Sequence, residues 1–148
     1  MDSAFEFKLR VRYGECDAQL VVFNARYADY TDLAVTEYLR YLFGGVIALL
    51  KQGLDTQVVR FAIDWTAPAR FDDVLILRIR PGRVGNTSFT LHLSFSNAAN
   101  GQDLAQADIV YVLVRAHTLD KLNINDTFRA KLLAGAPGVC INQSGDNA

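Results

Sequence analysis

The sequence predicts an α+β domain, one buried helix followed by an antiparallel meander, and three observations carry the prediction. Apolar side chains recur at helical intervals around most of the circumference of a segment beginning near Ala25. Four later stretches alternate apolar and polar residues with the period of a half-buried strand. Between those stretches stand turn formers: Asp72-Asp73, Gly85-Asn86 and the run from Asn97 to Gly101.

Taken in order, Phe5, Phe7, Leu9 and Val11 alternate with Glu6, Lys8, Arg10 and Arg12, which predicts a first strand. A loop holding Asp17 leads to the apolar plug Val21-Val22-Phe23. The helix then carries Tyr27, Tyr30, Ala34, Tyr38 and Tyr41 on one line and Val35, Leu39, Leu42 and Val46 on another, with a polar stripe at Asp29, Asp32, Thr36 and Arg40. Gly44-Gly45 ends or bends it, and Gly53 closes a short apolar segment after it. A second strand is expected over 58–65, with Val59, Phe61 and Ile63 on one face and Val58, Ala62 and Asp64 on the other. A third is expected over 74–80, interrupted by Pro81-Gly82, then one over 88–96 and one over 104–116. A short helix over 126–133 ends the domain, placed at 1–134, and the small, polar residues 135–148 are expected to form a frayed, flexible tail.

A chain of 148 residues buries enough apolar surface to fold without disulfides, and 51% apolar with 21% charged residues describes an ordinary globule. A net charge of -1 gives no general attraction to nucleic acid or to anionic membrane, and no apolar run is long enough to span a bilayer. The opening residues lack a basic start and an apolar stretch, so a cytoplasmic protein is expected. Cys16 and Cys140 stand far apart without metal-ligand spacing; no metal motif, phosphate loop or cofactor motif is present. A helix apolar nearly all round, with one sheet to cover it, leaves surface for a partner subunit, so a homodimer or homotetramer is expected.

The candidate chemistry sits where loop meets helix. Asp17 lies among small and apolar neighbours just before the helix start, and the free N–H groups of a first helical turn, near residues 24–26, hold an anion or a polarised carbonyl oxygen. An Asp there also serves as a turn residue or helix cap. Cys16 is a second nucleophile type, without an evident partnering base. Glu37 pairs at helical spacing with Arg40, and His92 lies on the polar face of its strand as a solvated side chain. Arg78, Arg80 and Arg83 form one basic group; Arg115, Lys121, Arg129 and Lys131 form another. Phe23, Tyr27, Tyr30 and Trp65 read as core by spacing, with Trp65 also suited to lining a pocket, and Asp64 is placed either near that pocket or on the surface.

The run VRYGECDAQLVVFNARYADYTDLAVTEYLRYL resembles the opening of the hotdog-fold acyl-CoA thioesterases related to 4-hydroxybenzoyl-CoA thioesterase. The resemblance implies a single hotdog domain, an antiparallel sheet wrapped around a long central helix, with active sites formed across a dimer interface. It implies hydrolysis of an acyl-CoA or aryl-CoA thioester to free acid and coenzyme A, with no cofactor. Asp17 then matches the catalytic Asp, as nucleophile or general base, and the Asn24 N–H matches the amide that polarises the thioester carbonyl. Phe23, Tyr27, Asp64, Trp65 and Arg83 are the accompanying candidates for substrate contacts. The match departs from the family pattern at Leu20, where many relatives carry Gly, and at Asn24, where many carry His. A hotdog domain that binds acyl thioesters without turning them over is the alternative reading.

Overall fold

The computed structural model describes residues 4–146. Among these, the strands form one sheet in the order β2-β5-β4-β3-β1-β6, built from β1 (Phe5–Arg10), β2 (Leu54–Trp65), β3 (Val74–Val84), β4 (Ser88–Asn97), β5 (Asp103–Arg115) and β6 (Cys140–Asn142). All neighbours pair antiparallel except β1 and β6, which run parallel. Helix α1 (Arg26–Phe43) lies against one face of the sheet, α2 (Val46–Lys51) follows Gly44-Gly45, and α3 (Asp126–Ala134) follows β5. The predicted α+β class and its central helix are therefore observed, and the sheet wraps around α1.

Alternation does the folding work in β1, β4 and the first half of β3. Phe5, Phe7 and Leu9 face inward from β1, Leu75, Leu77 and Ile79 from β3, and Phe89, Leu91, Leu93 and Phe95 from β4. Each such side chain contributes about 1.5–3 kcal/mol on burial. On the other side α1 presents Tyr27, Tyr30, Ala34, Val35, Tyr38, Leu39 and Leu42. Ring contacts lock the layers, Phe5 meeting Tyr38 edge-on at 5.4 Å and Phe95 meeting Tyr27 at 5.4 Å. The burial is one-sided. Leu33 and Tyr41 on the far face of α1 remain exposed, so the sheet wraps the helix on its inner side and leaves the outer side open in the single chain.

Two strands are longer than their patterns suggest. β2 begins at Leu54 and carries a bulge: Val58 pairs with Tyr111 and Arg60 with Val110, leaving Val59 as the extra residue. The extra residue reverses the expected facing, so that Val58 shares a face with Phe61 on the helix side. β3 does not stop at Pro81-Gly82 but continues to Val84 with a register shift. The reason is local. β1 starts at Phe5 opposite Ile79, so among the described residues β3 has no partner on that side beyond Ile79, and the N–H that proline lacks is not needed there.

The segment after Gly135, expected to fray, is held in place. Cys140–Asn142 adds to β1 as a sixth strand, Glu6 N–H donates to Val139 at 2.8 Å, and Arg10 Nε donates to the Ser144 carbonyl at 3.2 Å. Three residues are too few to show a period, and their partner lies at the opposite end of the chain. The turn into this segment needs glycine: Gly135 has φ 64°, and a Cβ there would stand 2.9 Å from Pro81 Cγ and 3.4 Å from Tyr38 Oη. Gly135→Ala should therefore lower stability by about 1–3 kcal/mol, measured by urea unfolding, with little change in the slope of the transition.

Candidate active site

The loop from Cys16 to Val22 is a small hairpin standing on the entrance to α1. Cys16 and Val22 form an antiparallel bridge, Asp17 N–H donates to the Val21 carbonyl at 2.9 Å, and Leu20 N–H donates to the Asp17 carbonyl at 3.0 Å. Its base is closed by Phe23 N–H donating to the Glu15 carbonyl at 3.0 Å. Further bonds join it to the segment before β3, from Val22 N–H to Ala69 O at 2.8 Å and from Phe71 N–H to Leu20 O at 3.0 Å. Leu20 takes φ 60°. A side chain in that left-handed conformation costs about 1–2 kcal/mol, and Leu20 is exposed, so it recovers little by packing.

Asp17 is exposed, and its Oδ1 accepts the Gln19 N–H at 2.8 Å in an Asx turn. On the other strand of the hairpin the chain enters α1 through Asn24 and Ala25. Arg26, Tyr27 and Ala28 donate to the carbonyls of Phe23, Asn24 and Ala25, whereas the amides of Asn24 and Ala25 find no acceptor among the described residues. The loop thus combines a carboxylate with two available N–H donors at the positive end of an 18-residue helix.

The other candidates divide by sheet face. Tyr27 is buried, Trp65 packs edge-on against it at 5.7 Å while staying 44% exposed, and Phe23 is 55% exposed beside Asn24. These three lie with the Asp17 loop and the helix face of the sheet. Asp64 pairs across from Gln106 on the outer face, away from α1, and Arg83 is exposed at the far end of β3 from this loop. Within one chain neither is brought to Asp17. A slot of about 150 Å³ opens between α1 and β2, lined by Ala28, Thr31, Asp32, Val58, Phe61 and Tyr111. It begins one helical turn beyond Asn24 on the same side of α1.

Several basic and polar side chains are engaged elsewhere. Arg78 pairs with Glu6 at 2.8 Å and donates to Ser96, Arg129 donates to the Val84 and Gly85 carbonyls, and Lys131 lies over the Phe43 ring. Glu37 pairs with Arg40 at 3.0 Å, as its spacing suggests. His92 is not merely solvated: its Nδ1 bonds Asp108 on the outer face. Burial, together with the carboxylates of Asp17, Glu15 and Asp73, pushes the Cys16 thiol above its ordinary range, so it lacks the thiolate character a nucleophile needs. No cluster of His, Cys, Asp or Glu among the described residues has the arrangement of a metal site.

One residue escaped the sequence reading. Glu15 is nearly buried and its carboxylate accepts four hydrogen bonds: Oε1 from Arg12 N–H at 2.8 Å and Tyr30 Oη at 2.9 Å, Oε2 from Arg12 Nε at 3.1 Å and Nη2 at 2.8 Å. Burial alone would raise its pKa; the Arg12 side chain, the Arg12 backbone and Tyr30 together outweigh burial and hold it below the ordinary carboxylate value. The legible signal was the Arg12-x-x-Glu15 spacing together with a tyrosine on the buried stripe that needed an acceptor.

Residues 20–103 match the family model described as thioesterase superfamily, a span that includes Asn24 and stops short of Asp17. The acyl-CoA thioesterase YbgC of Haemophilus influenzae is 39% identical over 85 residues, 57% of this chain and 62% of that protein, so this match spans less than two thirds of the relative. The acyl-CoA thioester hydrolase YbgC of Escherichia coli is 31% identical over 110 residues, 74% of this chain and 81% of that protein. Among solved structures, a thioesterase superfamily protein of a Jannaschia species superposes with a TM-score of 0.84 at 23% identity, over 93% of this chain and 96% of that one. A 1,4-dihydroxy-2-naphthoyl-CoA thioesterase from Synechocystis gives 0.78 at 19% identity, over 87% and 95%. The structural likenesses show the hotdog fold.

Two outcomes are expected from this geometry. Leu20→Gly should raise stability by up to about 1 kcal/mol, seen as a higher urea midpoint, because it relieves the left-handed strain. Because the Glu15 pKa is lowered on folding, its contribution is complete above the ordinary carboxylate pKa and lost as pH falls through the lower folded value. Unfolding midpoints taken from neutral pH downward should therefore decline less steeply in Glu15→Gln than in the wild type.

Proposed function

From the premise that the chain belongs to the thioesterase superfamily, matched over residues 20–103, we propose that it hydrolyses acyl-CoA or aryl-CoA thioesters to the free acid and coenzyme A. The observation that carries this reading is the presence, on one short segment from hairpin to helix entrance, of the exposed Asp17 carboxylate and the amides of Asn24 and Ala25, unengaged among the described residues. A thioester carbonyl received by those amides gains negative charge on its oxygen as the tetrahedral intermediate forms, and each such donor contributes about 3 kcal/mol. Asp17 either attacks the carbonyl carbon, giving a mixed anhydride that water cleaves, or takes a proton from the attacking water. In both routes the C–S bond breaks with departure of the coenzyme A thiolate, a good leaving group. The reading is supported by the slot beneath α1, which offers an apolar place for a short acyl group one turn from the donors.

The protein acts in this reading as a homodimer or homotetramer. Support comes from the open edge of β2, the exposure of Val58, Val59 and Trp65 along it, and the uncovered far side of α1. A second copy set against these surfaces turns an exposed loop into a cleft that excludes water. Phe23, Tyr27 and Trp65 border the acyl group, while Asp64 and Arg83 reach substrate only from a neighbouring copy. The alternative, an acyl-thioester binding domain without turnover, draws on the Asx turn that occupies one Asp17 oxygen.

Release of free thiol from short, long and aromatic CoA esters tests the reading. The wild type should turn over at least one class, and Asp17→Asn should lose about 10²–10⁴-fold in kcat. Equal rates in the two proteins remove Asp17 from the chemistry; tight binding of the esters with no thiol release from the wild type favours the binding domain.

A further inference from the structure

We propose that Glu15 and Tyr30 are positioning residues of the thioesterase reaction, holding the Asp17 hairpin at a set distance from the Asn24 amide without touching the substrate. The inference rests on the hydrolysis reading above and adds the device that sets its geometry.

Glu15 is the point where three parts of the site meet. Its backbone carbonyl accepts the Phe23 N–H at 3.0 Å, which fixes the start of the hairpin to the residue preceding Asn24. Its N–H donates to the Arg12 carbonyl at 3.0 Å, which ties the hairpin back to the end of β1 through a single helical turn at Tyr13–Glu15. Its carboxylate receives the Tyr30 hydroxyl from the second turn of α1, the same helix whose entrance carries the Asn24 and Ala25 amides. Asp17 follows two residues later. Hairpin base, helix entrance and helix body are thus joined through one residue, by its backbone and its carboxylate, and a rotation of the hairpin about Phe23 is opposed by the Glu15–Tyr30 bond.

The two donors differ in strength as anchors. The Arg12 side chain is 75% exposed, so water screens and competes with its half of the pair. Tyr30 is buried, and both burial and Glu15 hold its phenol far above the ordinary tyrosine range, so it remains a neutral donor at every pH at which the protein works. Glu15 is unsuited to a direct chemical role. Its side chain is 11% exposed and its two oxygens each receive two donors, leaving no free lone pair aimed at the reacting group.

Steady-state thiol release by wild type, Tyr30→Phe, Glu15→Gln, Glu15→Ala and Asp17→Asn tests the assignment, alongside binding of a non-hydrolysable acyl-CoA thioether. Folding is checked by circular dichroism, and Tyr30→Phe, which removes one oxygen from a buried ring, keeps the test open if Glu15→Ala does not fold. Tyr30→Phe should lose about tenfold or more in kcat, because a displacement of about 1 Å at the reacting groups is enough for that. Its KM and its affinity for the thioether should stay within about twofold of wild type. Glu15→Gln, which keeps an acceptor for Tyr30 and the Arg12 amide, should recover much of the rate lost in Glu15→Ala. A folded Tyr30→Phe with wild-type kcat, or a loss appearing in KM and thioether binding instead, overturns the positioning role while leaving Asp17 in place. Wild-type activity in Asp17→Asn removes Asp17 from the chemistry and this inference with it, whereas absence of thiol release from the wild type overturns the hydrolysis reading itself.

Discussion

Tyr27, Tyr30 and Tyr38 stand on the stripe of α1 that faces the sheet, and each must bury an aromatic ring while giving its hydroxyl something to bond. The three solutions shape the molecule. Tyr27 is held through its ring, which meets Trp65 and Phe95 edge-on. Tyr30 donates to Glu15 and so draws the Arg12–Glu15 turn against the helix. Tyr38 stacks edge-on with Phe5 but finds no hydrogen-bond partner among the described residues, and burial pushes its pKa up to about 12. One of the three phenols thereby anchors the irregular segment that leads to Asp17, and the other two rings serve the packing of the core.

This division explains why an irregular loop can carry chemistry. Loops of this length usually drift, but the Asp17 hairpin is bonded at its base to Glu15, along its side to Ala69, and at its tip to Phe71. The rigid parts of the fold lend it their order through backbone bonds, while the side chain of Asp17 and the amides of Asn24 and Ala25 stay clear of the core. Leu20 shows the tension in that arrangement, since the tip must turn through a left-handed residue that a side chain does not favour.

Regular elements were legible because their burial is periodic. β1 and β4 alternate strictly, and α1 repeats its tyrosines at the helical interval, so residue type alone reveals them. What could not be read depends on partners distant in sequence. The bulge at Val59 is set by pairing with β5, the continuation of β3 through Pro81 by where β1 begins, and β6 by a parallel contact across the whole chain. In the candidate site, the loop-to-helix boundary that puts Asp17 and Asn24 on one short segment was legible. Glu15 was not, since an Arg and a Glu three apart read as a surface pair until the Tyr30 hydroxyl is seen to join them. Asp64 and Arg83 lie off the single-chain site because side-chain facing and strand direction, which a linear pattern does not encode, carry them elsewhere.

The short β6 has a consequence for assembly. It occupies the rim of the sheet beside β1 with a three-residue stub, while at the opposite rim the outer edge of β2 is long and has no strand beside it among the described residues. Two chains that join rim to rim through β2 carry their stubs at both outer ends, where so brief a strand offers almost no ladder to a third chain. In the pair proposed above, lateral growth would therefore have almost nothing to extend it, and the sheet would resist becoming a fibre.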